Sequence, residues 1–280
     1  MDIKIYDGKF WIFLLLTIFL FCLICFLPNL FILEGKIDFT QTGQIGDTIG
    51  GIMSPFVAIL VGILTFLAFW VQYKANIIQQ RDIALDRFET KLFSMIAIHE
   101  ELTSKVKFIN EDVEATSAVY PEGRAIFEYI YNKRHRGWHK GLRHSIEENG
   151  YKVVKEDKSL WCLDHYFRHL YSIMKFIDSA RVLNDNIELK YEYVSIISAM
   201  MSEYELILLF YYILGNTDNT NDFKDLVERY GFFQSLRIDN LALDVERKYY
   251  RILKNGGSDT DNNVLSNSYK EKAFVFKHTA

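Results

Sequence analysis

The residues best suited to chemistry lie in the most basic part of the sequence, KRHRGWHKGLRH at residues 133–144. Here cations and histidines alternate around one tryptophan, a composition that can bind the phosphates of RNA or of lipid headgroups. The alternative is a solvated basic face with no ligand, which we favour over catalysis. The cations of this basic patch are Lys133, Arg134, Arg136, Lys140 and Arg143.

Within the basic patch, the order Arg134-His135-Arg136-Gly137-Trp138-His139 resembles the Arg-polar-x-x-x-His motif of HEPN-type ribonucleases. The resemblance implies that Arg134 and His139 of two protomers meet and cleave RNA without a metal. A motif this short recurs by chance in a chain rich in both residues. We therefore keep a membrane-tethered ribonuclease, with RNA as its partner, as the alternative function.

Two further pairs have the spacing of metal ligands. His165 and His169 are four residues apart and share one face of a helix, but no glutamate follows His165. Cys22 and Cys25 have redox or zinc spacing inside an apolar run, where cysteine behaves as a small apolar residue. We predict no metal site and no cofactor.

The segment Ser202-Glu203-Tyr204-Glu205 places two glutamates in an otherwise apolar run. They could act as acid–base residues, but we favour structural ion pairs with Arg168 or Arg181. The chain contains no phosphate-binding glycine loop followed by lysine, no dinucleotide fingerprint and no nucleophile elbow. A non-enzymatic role is therefore the leading hypothesis.

Two long uncharged stretches predict a pair of transmembrane helices that anchor the rest of the chain. Residues 10–33 and 48–73 are each long enough to cross about 30 Å of hydrocarbon. The short loop 34–47 carries one basic residue, the arm 1–9 carries two, and residues 74–91 carry four. This bias predicts that both termini face the cytoplasm and the loop faces outward.

Small residues crowd the entrance to the second span. Gly46 and Gly50 are four residues apart, a spacing that lets two helix backbones approach closely, although a flexible outer loop is an equal alternative. Asp47 at the same boundary predicts a helix cap or a carboxylate at a pore mouth. We group Gly46, Asp47, Gly50 and Gly51 as candidates for membrane-helix packing or a pore.

No proline separates Pro55 from Pro121, which predicts that the second span continues as one long helix. Its apolar residues alternate steps of three and four, the pattern of a coiled coil or a long bundle helix. This seam could form a homo-oligomer, but packing against its own domain is slightly favoured. The seam residues are Leu85, Phe88, Leu92, Met95, His99, Leu102, Val106, Ile109 and Val113.

Residues 74–254 predict an all-α cytoplasmic domain, because helical periodicity recurs and no strand pattern of similar length is present. Gly256–Asn263 predicts a flexible linker, so 255–280 is interpreted as linker and tail. The expected helices lie within Arg124–Glu148, Leu160–Leu183, Tyr191–Leu214 (one buried helix), a short segment that ends at Gly231, and Leu241–Leu253.

Several blocks in order resemble the phage abortive infection proteins, the AbiC-like family: GQIGDTIGGIMSPF, LTFLAFWVQYKAN, RFETKLFSMIAIHEEL, DHYFRHLYSIMKFID, MMSEYELILLFYYIL and KDLVERYGFFQSLR. The resemblance covers residues 43–237. It carries no catalytic residues, and Tyr212 stands where the family pattern has asparagine. The shared positions comprise Gly46, Asp47, Gly50, Gly51, Pro55, Gln72, Asn76, Phe88, Glu89, His99, Tyr166, Phe167, Asp178, Ser202 and Glu205.

The resemblance implies a bacterial anti-phage role in which the infected cell stops growing before progeny emerge. Combined with the two spans, it predicts an effector or sensor in the inner membrane that perturbs the bilayer without enzymatic chemistry. The expected partners are the lipid bilayer, a second copy of the chain, and a phage-derived or defence-system protein. A scaffold that localises another defence protein is a further alternative.

Overall fold

A computed structural model describes residues 8–33, 42–107, 121–132, 141–183, 186–254, 269 and 271–274. All regular elements in these ranges are helical, which confirms the all-α prediction, and the β-type pairing among them is one isolated bridge between Lys107 and Glu122. The α-helices are α1 Gly8–Leu33, α2 Thr42–Lys105, α3 Ala125–Asn132, α4 Leu142–Asn149, α5 Lys152–Glu156, α6 Asp164–Asp178, α7 Ile187–Met200, α8 Glu203–Gly215, α9 Thr217–Arg229 and α10 Asp244–Lys254. Short 3₁₀ helices cover Lys158–Leu163, Arg181–Leu183, Ile238–Asn240 and Glu271–Ala273.

The chain divides into two compact units, Met1–Leu85 and Asp86–Ala280, with the boundary inside α2. The long helix predicted from the missing prolines is confirmed, because α2 is continuous over 64 residues. It begins at Thr42, six residues before the predicted start of the second span, so the described end of the predicted outer loop is helical.

In the first unit, one described helix is long and apolar enough to cross a membrane, the part of α2 that begins at Met53. Helix α1 has 26 residues, of which Leu14–Leu23 form a shorter apolar stretch among those whose side chains the structure describes. The prediction of two spans is therefore met in part. Helices α7 and α8 would qualify only together, and they are bent by 114°.

The core of the second unit is built around α8, whose residues Leu206–Tyr211 are almost completely buried. Helices α3, α5 and α9 pack directly on α8. Helices α8 and α5 approach closely at Gly215, where an added Cβ would lie 2.5 Å from Cβ of Val154. A helix that is apolar on every side must be enclosed in this way if it is to sit inside a water-exposed domain.

The single helix predicted over Tyr191–Leu214 is wrong: the chain breaks at Met201–Ser202 into α7 and α8. The reason is a capping box, in which the Ser202 hydroxyl accepts from the Glu205 amide and the Glu205 carboxylate accepts from the Ser202 amide. These bonds satisfy amides that a new helix leaves unpaired and so stabilise a helix start.

The apolar seam of α2 packs inside its own domain in the second unit. Phe88, Leu92, His99 and Val106 are buried, with Phe88 stacked on Phe176 at a centroid distance of 5.2 Å. This outcome agrees with the favoured alternative and gives no support to a coiled coil. Residues Ile109 and Val113 of the predicted seam lie outside the described residues.

The predicted flexible tail contributes to the core where it is described. Tyr269 and Phe274 are fully or almost fully buried, and the Tyr269 hydroxyl donates to the carbonyl of Phe210 at 3.0 Å. The amide of Phe233 donates to the carbonyl of Ala273 at 2.9 Å. The rest of 255–280 lies outside the described residues.

Candidate functional site

The candidate ribonuclease residues lie outside the residues that the structure describes. Lys133, Arg134, Arg136, His139 and Lys140 all fall within 133–140. The remaining member of the basic patch, Arg143, lies on α4 and pairs with Glu147 at 3.2 Å. The described residues do not test the ribonuclease alternative, which therefore stays a prediction.

The glycine group at the start of α2 is helical rather than part of a loop. Asp47 is exposed and is the sixth residue of α2, so it is not the helix cap that the sequence suggested. A Cβ at Gly50 or Gly51 would have no heavy atom of the described chain within 4 Å. Space for a close neighbour exists at both positions, and packing or pore formation there stays a prediction.

The family-pattern residue His99 lies in a buried polar cluster on the domain side of α2. Its Nδ1 is 3.3 Å from Nδ1 of His169 on α6, and its ring lies 4.4 Å from that of Tyr166. The side chain is 7% exposed, and its Nε2 has no hydrogen-bond partner among the described residues. Burial, followed by the charges of His169 and Arg124, lowers the pKa of His99 to about 4. The neutral imidazole is therefore the stable form in this site.

Glu205 joins the buried cluster from the first turn of α8 and is 1% exposed. Besides its part in the capping box, it accepts a hydrogen bond from the Tyr166 hydroxyl at 3.1 Å. Arg124 approaches it at 4.0 Å and pairs more closely, at 2.6 Å, with Glu100 of α2. A buried carboxylate requires such partners, so Glu205 connects three elements of the domain.

The predicted partners of the two glutamates are wrong. Glu205 meets Arg124, and Glu203 meets Arg237 at 3.3 Å, instead of the expected Arg168 or Arg181. The break between α7 and α8 changes the direction of this segment and so changes which cations it can reach. The sequence signal for the break, serine followed three residues later by glutamate, was present in Ser202-Glu203-Tyr204-Glu205.

The buried cluster encloses very little space. A cavity of about 10 Å³ lies between α2, α6 and α8, with His99, Glu205, Arg124 and Tyr166 in its wall. That volume holds at most one water, so no substrate fits beside these side chains. The arrangement connects α2, α6 and α8 through polar contacts.

Two other family-pattern residues also make structural contacts. Asp178, at the end of α6, accepts from Arg229 at 2.7 Å and from the Tyr230 hydroxyl at 2.6 Å. Burial opposes ionisation of Asp178, but these hydrogen bonds outweigh it and lower its pKa. Phe167 is fully buried and stacks on Tyr212 at a centroid distance of 4.5 Å.

The two histidines with metal-ligand spacing point to different surroundings. His169 contacts His99, whereas His165 is exposed. Among the residues that the structure describes, no group of three or more His, Cys, Asp or Glu side chains could hold a metal ion.

A second buried acid was not predicted from the sequence. Glu246 of α10 is fully buried and accepts hydrogen bonds from the hydroxyls of Tyr151 and Tyr211, the latter at 2.7 Å. Burial raises the pKa of Glu246, while the tyrosine hydrogen bonds oppose that rise. A sequence signal was present, because Glu246 is four residues before Tyr250 and so shares the apolar face of the amphipathic helix α10.

A groove beside α6 is a second candidate site. It has a volume of about 880 Å³ and lies between the segment 154–161, one face of α6, and the junction of α8 and α9. Tyr212 lies in its wall and donates to Asp164 at 2.8 Å. Tyr212, at which the resemblance led us to expect an asparagine, therefore faces this groove.

One comparison with known proteins gives a match. Residues 158–241, which contain α6 to α9, match the family model described as "Putative phage abortive infection protein". The match confirms the family resemblance over residues 158–241, which include most of the groove and the α7–α8 break. Neither a curated protein nor a solved structure matches the chain.

Proposed function

We propose that this protein acts in abortive infection of phage-infected bacteria as a membrane-anchored effector or sensor. In this proposal α1 and residues 48–73 of α2 cross the inner membrane, and both termini face the cytoplasm. The helical domain receives the infection signal, and α2 carries it to the membrane. The family match over residues 158–241 supports the link to abortive infection.

The observation that carries the membrane part of the proposal is the surface of α2 in the first unit. In its most apolar window only 6% of residues are buried. Large side chains such as Ile59, Phe66 and Phe69 are 57%, 62% and 67% exposed. A helix that is apolar on every side and uncovered by protein is stable in lipid and strongly unfavourable in water.

A role without enzymatic chemistry is supported by what the family-pattern residues contact. Ser202 and Glu205 form a capping box, Asp178 pairs with Arg229, and Phe167 lies in the core. His99 and Glu205 border a cavity too small for a substrate. These residues hold helices together, which suits a domain that transmits a change of conformation.

Membrane anchoring is tested by introducing two arginines, Leu64→Arg and Phe66→Arg. Each arginine at the centre of a span costs roughly 3 kcal/mol of insertion free energy, so we expect the double variant to leave the membrane fraction and lose protection. The matched control is Ser94→Arg on an exposed position of the same helix in the second unit. Protection by a variant that lacks residues 1–73 would refute a membrane role.

Membrane orientation is tested with single cysteines in a variant free of native cysteine. A Lys36→Cys thiol in the predicted outer loop should react with an impermeant maleimide in intact spheroplasts. A Lys272→Cys thiol, on an exposed side chain of the domain, should react only after lysis. The reverse pattern would overturn the proposed orientation.

The mechanism is tested by imaging membrane potential with a dye during infection. Depolarisation that requires this protein and precedes lysis is expected if the spans perturb the bilayer.

The ribonuclease alternative is tested by His139→Ala. Full protection by this variant removes the alternative, whereas lost protection together with lost RNA cleavage supports it. Co-purification of a defence protein, with no change of potential, would support the scaffold alternative.

A further inference from the structure

The groove beside α6 has the dimensions of a small-molecule site. Its volume of about 880 Å³ lies at the upper end of the range for ligand pockets, and exposed side chains line its rim. It is distinct from the buried His99 cluster, which faces another side of α6. None of the functional residues predicted from the sequence explains this groove.

Trp161 is the most unusual residue of the groove. It lies in the 3₁₀ helix that precedes α6, and its side chain is 65% exposed. None of the ring contacts among the described residues involves this indole. A tryptophan left uncovered at the rim of a pocket is an available surface on which a flat ring can stack.

Positive charge lies on the same side of the groove as the tryptophan. Asp164, Arg168 and Tyr171 follow Trp161 on one stripe of α6, at steps of three or four residues. The Arg168 guanidinium pairs with Asp164 at 2.5 Å, yet its side chain remains 63% exposed. A planar guanidinium with donors left over can bind a phosphate in a bidentate manner. Lys155, which also has another contact of its own, adds a second cation to the same rim.

The opposite wall supplies neutral and acidic hydrogen-bonding groups. Asn221 and Asp222 of α9 are exposed and line the groove, as does Asn216 at the junction of α8 and α9. Amide and carboxylate groups of this kind recognise the edge of a base and the hydroxyls of a ribose. The ring platform, the cations and the hydrogen-bonding wall thus lie around one space.

We propose that this groove binds a mononucleotide, with its base on Trp161 and its phosphate at Arg168 and Lys155. A nucleotide satisfies all three features together, because it combines a flat ring, an anionic phosphate and polar edges. Inorganic phosphate would use only the cations, and an uncharged nucleoside would use only the ring and the polar wall. The proposal concerns this groove alone and does not depend on the function proposed above.

The test is calorimetric titration of the full chain in detergent micelles with AMP, GMP, CMP and UMP. At least one nucleotide should bind saturably in the millimolar range or tighter. Trp161→Ala should weaken that nucleotide roughly five- to a hundredfold through lost stacking, and Arg168→Gln should weaken it roughly tenfold. Binding of the matching nucleoside should fall with Trp161→Ala but not with Arg168→Gln.

The matched control is Arg181→Gln, an exposed arginine that lies outside the groove on the 3₁₀ helix after α6. It should leave the affinity unchanged. Because Trp161 and Arg168 are exposed, both variants should keep the near-ultraviolet circular dichroism of the folded domain. Trp161→Phe, which retains a ring, should recover part of the lost affinity.

Three results would overturn the proposal. The first is no saturable binding of any of the four nucleotides to the folded chain. The second is binding that Arg168→Gln and Arg181→Gln weaken equally, which would indicate general charge attraction. The third is an acidic phosphopeptide that binds the groove while the nucleotides do not.

Discussion

Acid should destabilise the helical domain through His99, a residue outside the proposed membrane span. In the folded protein burial lowers the pKa of His99 to about 4, whereas an unfolded histidine has a pKa near 6.5. Above pH 6.5 both states are neutral at this residue, so it adds no pH dependence. Below pH 6.5 the unfolded chain takes up a proton that the folded chain excludes, and stability falls until the pH approaches 4.

The size of this loss follows from the two pKa values. At pH 5 the unfolded state gains about 2 kcal/mol relative to the folded state, and at pH 4 it gains about 3 kcal/mol. A loss of 2 kcal/mol is a large share of the stability of an ordinary domain. Protonation would also place a charge beside His169 and Arg124, with no described partner for Nε2.

The assay is urea unfolding of the full chain in detergent micelles at pH 7 and pH 5, followed by near-ultraviolet circular dichroism of the aromatic core. In His99→Gln the stability lost between the two pH values should be smaller than in the unaltered protein by about 2 kcal/mol. The control is His165→Gln, which removes an exposed histidine of α6. Equal pH dependence in the unaltered protein and His99→Gln would refute the reasoning.

Three other substitutions test the packing, with Gly50→Ala as a control, each by the urea midpoint at pH 7. Gly215→Ala should cost about 1–3 kcal/mol, because the new Cβ meets Val154, whereas Gly50→Ala should leave domain stability unchanged because that site is open. Glu205→Ala should cost about 2–4 kcal/mol by removing a cap and leaving a buried hydroxyl unpaired. Phe274→Ala should cost about 3–5 kcal/mol because its ring is almost completely buried, and a loss below about 1 kcal/mol would contradict that burial.

The helical character of the chain could be predicted from its sequence because the signals were local. The absence of proline between Pro55 and Pro121 gave the long helix, and periodicity gave the buried face of α2 with Phe88, Leu92 and His99. The ends of helices are harder to predict from sequence, because a short polar capping motif competes with a long apolar pattern. Over residues 191–214 the apolar pattern predicts one helix, but the Ser202–Glu205 capping box starts a second helix at Glu203.

The contacts of the candidate sites could not be predicted, because they join residues far apart in the chain. Glu205 meets Arg124 only after α3 and α8 have packed together, and no spacing rule relates the two. Trp161 looks in sequence like any aromatic residue before an amphipathic helix. Its exposure beside Arg168 depends on how α5 and α9 border α6.

Burial of Tyr269 and Phe274 has a consequence for synthesis of the chain. These residues leave the ribosome after all the helices against which they pack, so until then the nascent domain exposes aromatic surface around Phe210 and Phe233. Products of early termination therefore expose the apolar surface that chaperones and proteases recognise. The core around Phe210 can close only after Tyr269 and Phe274 have emerged from the ribosome.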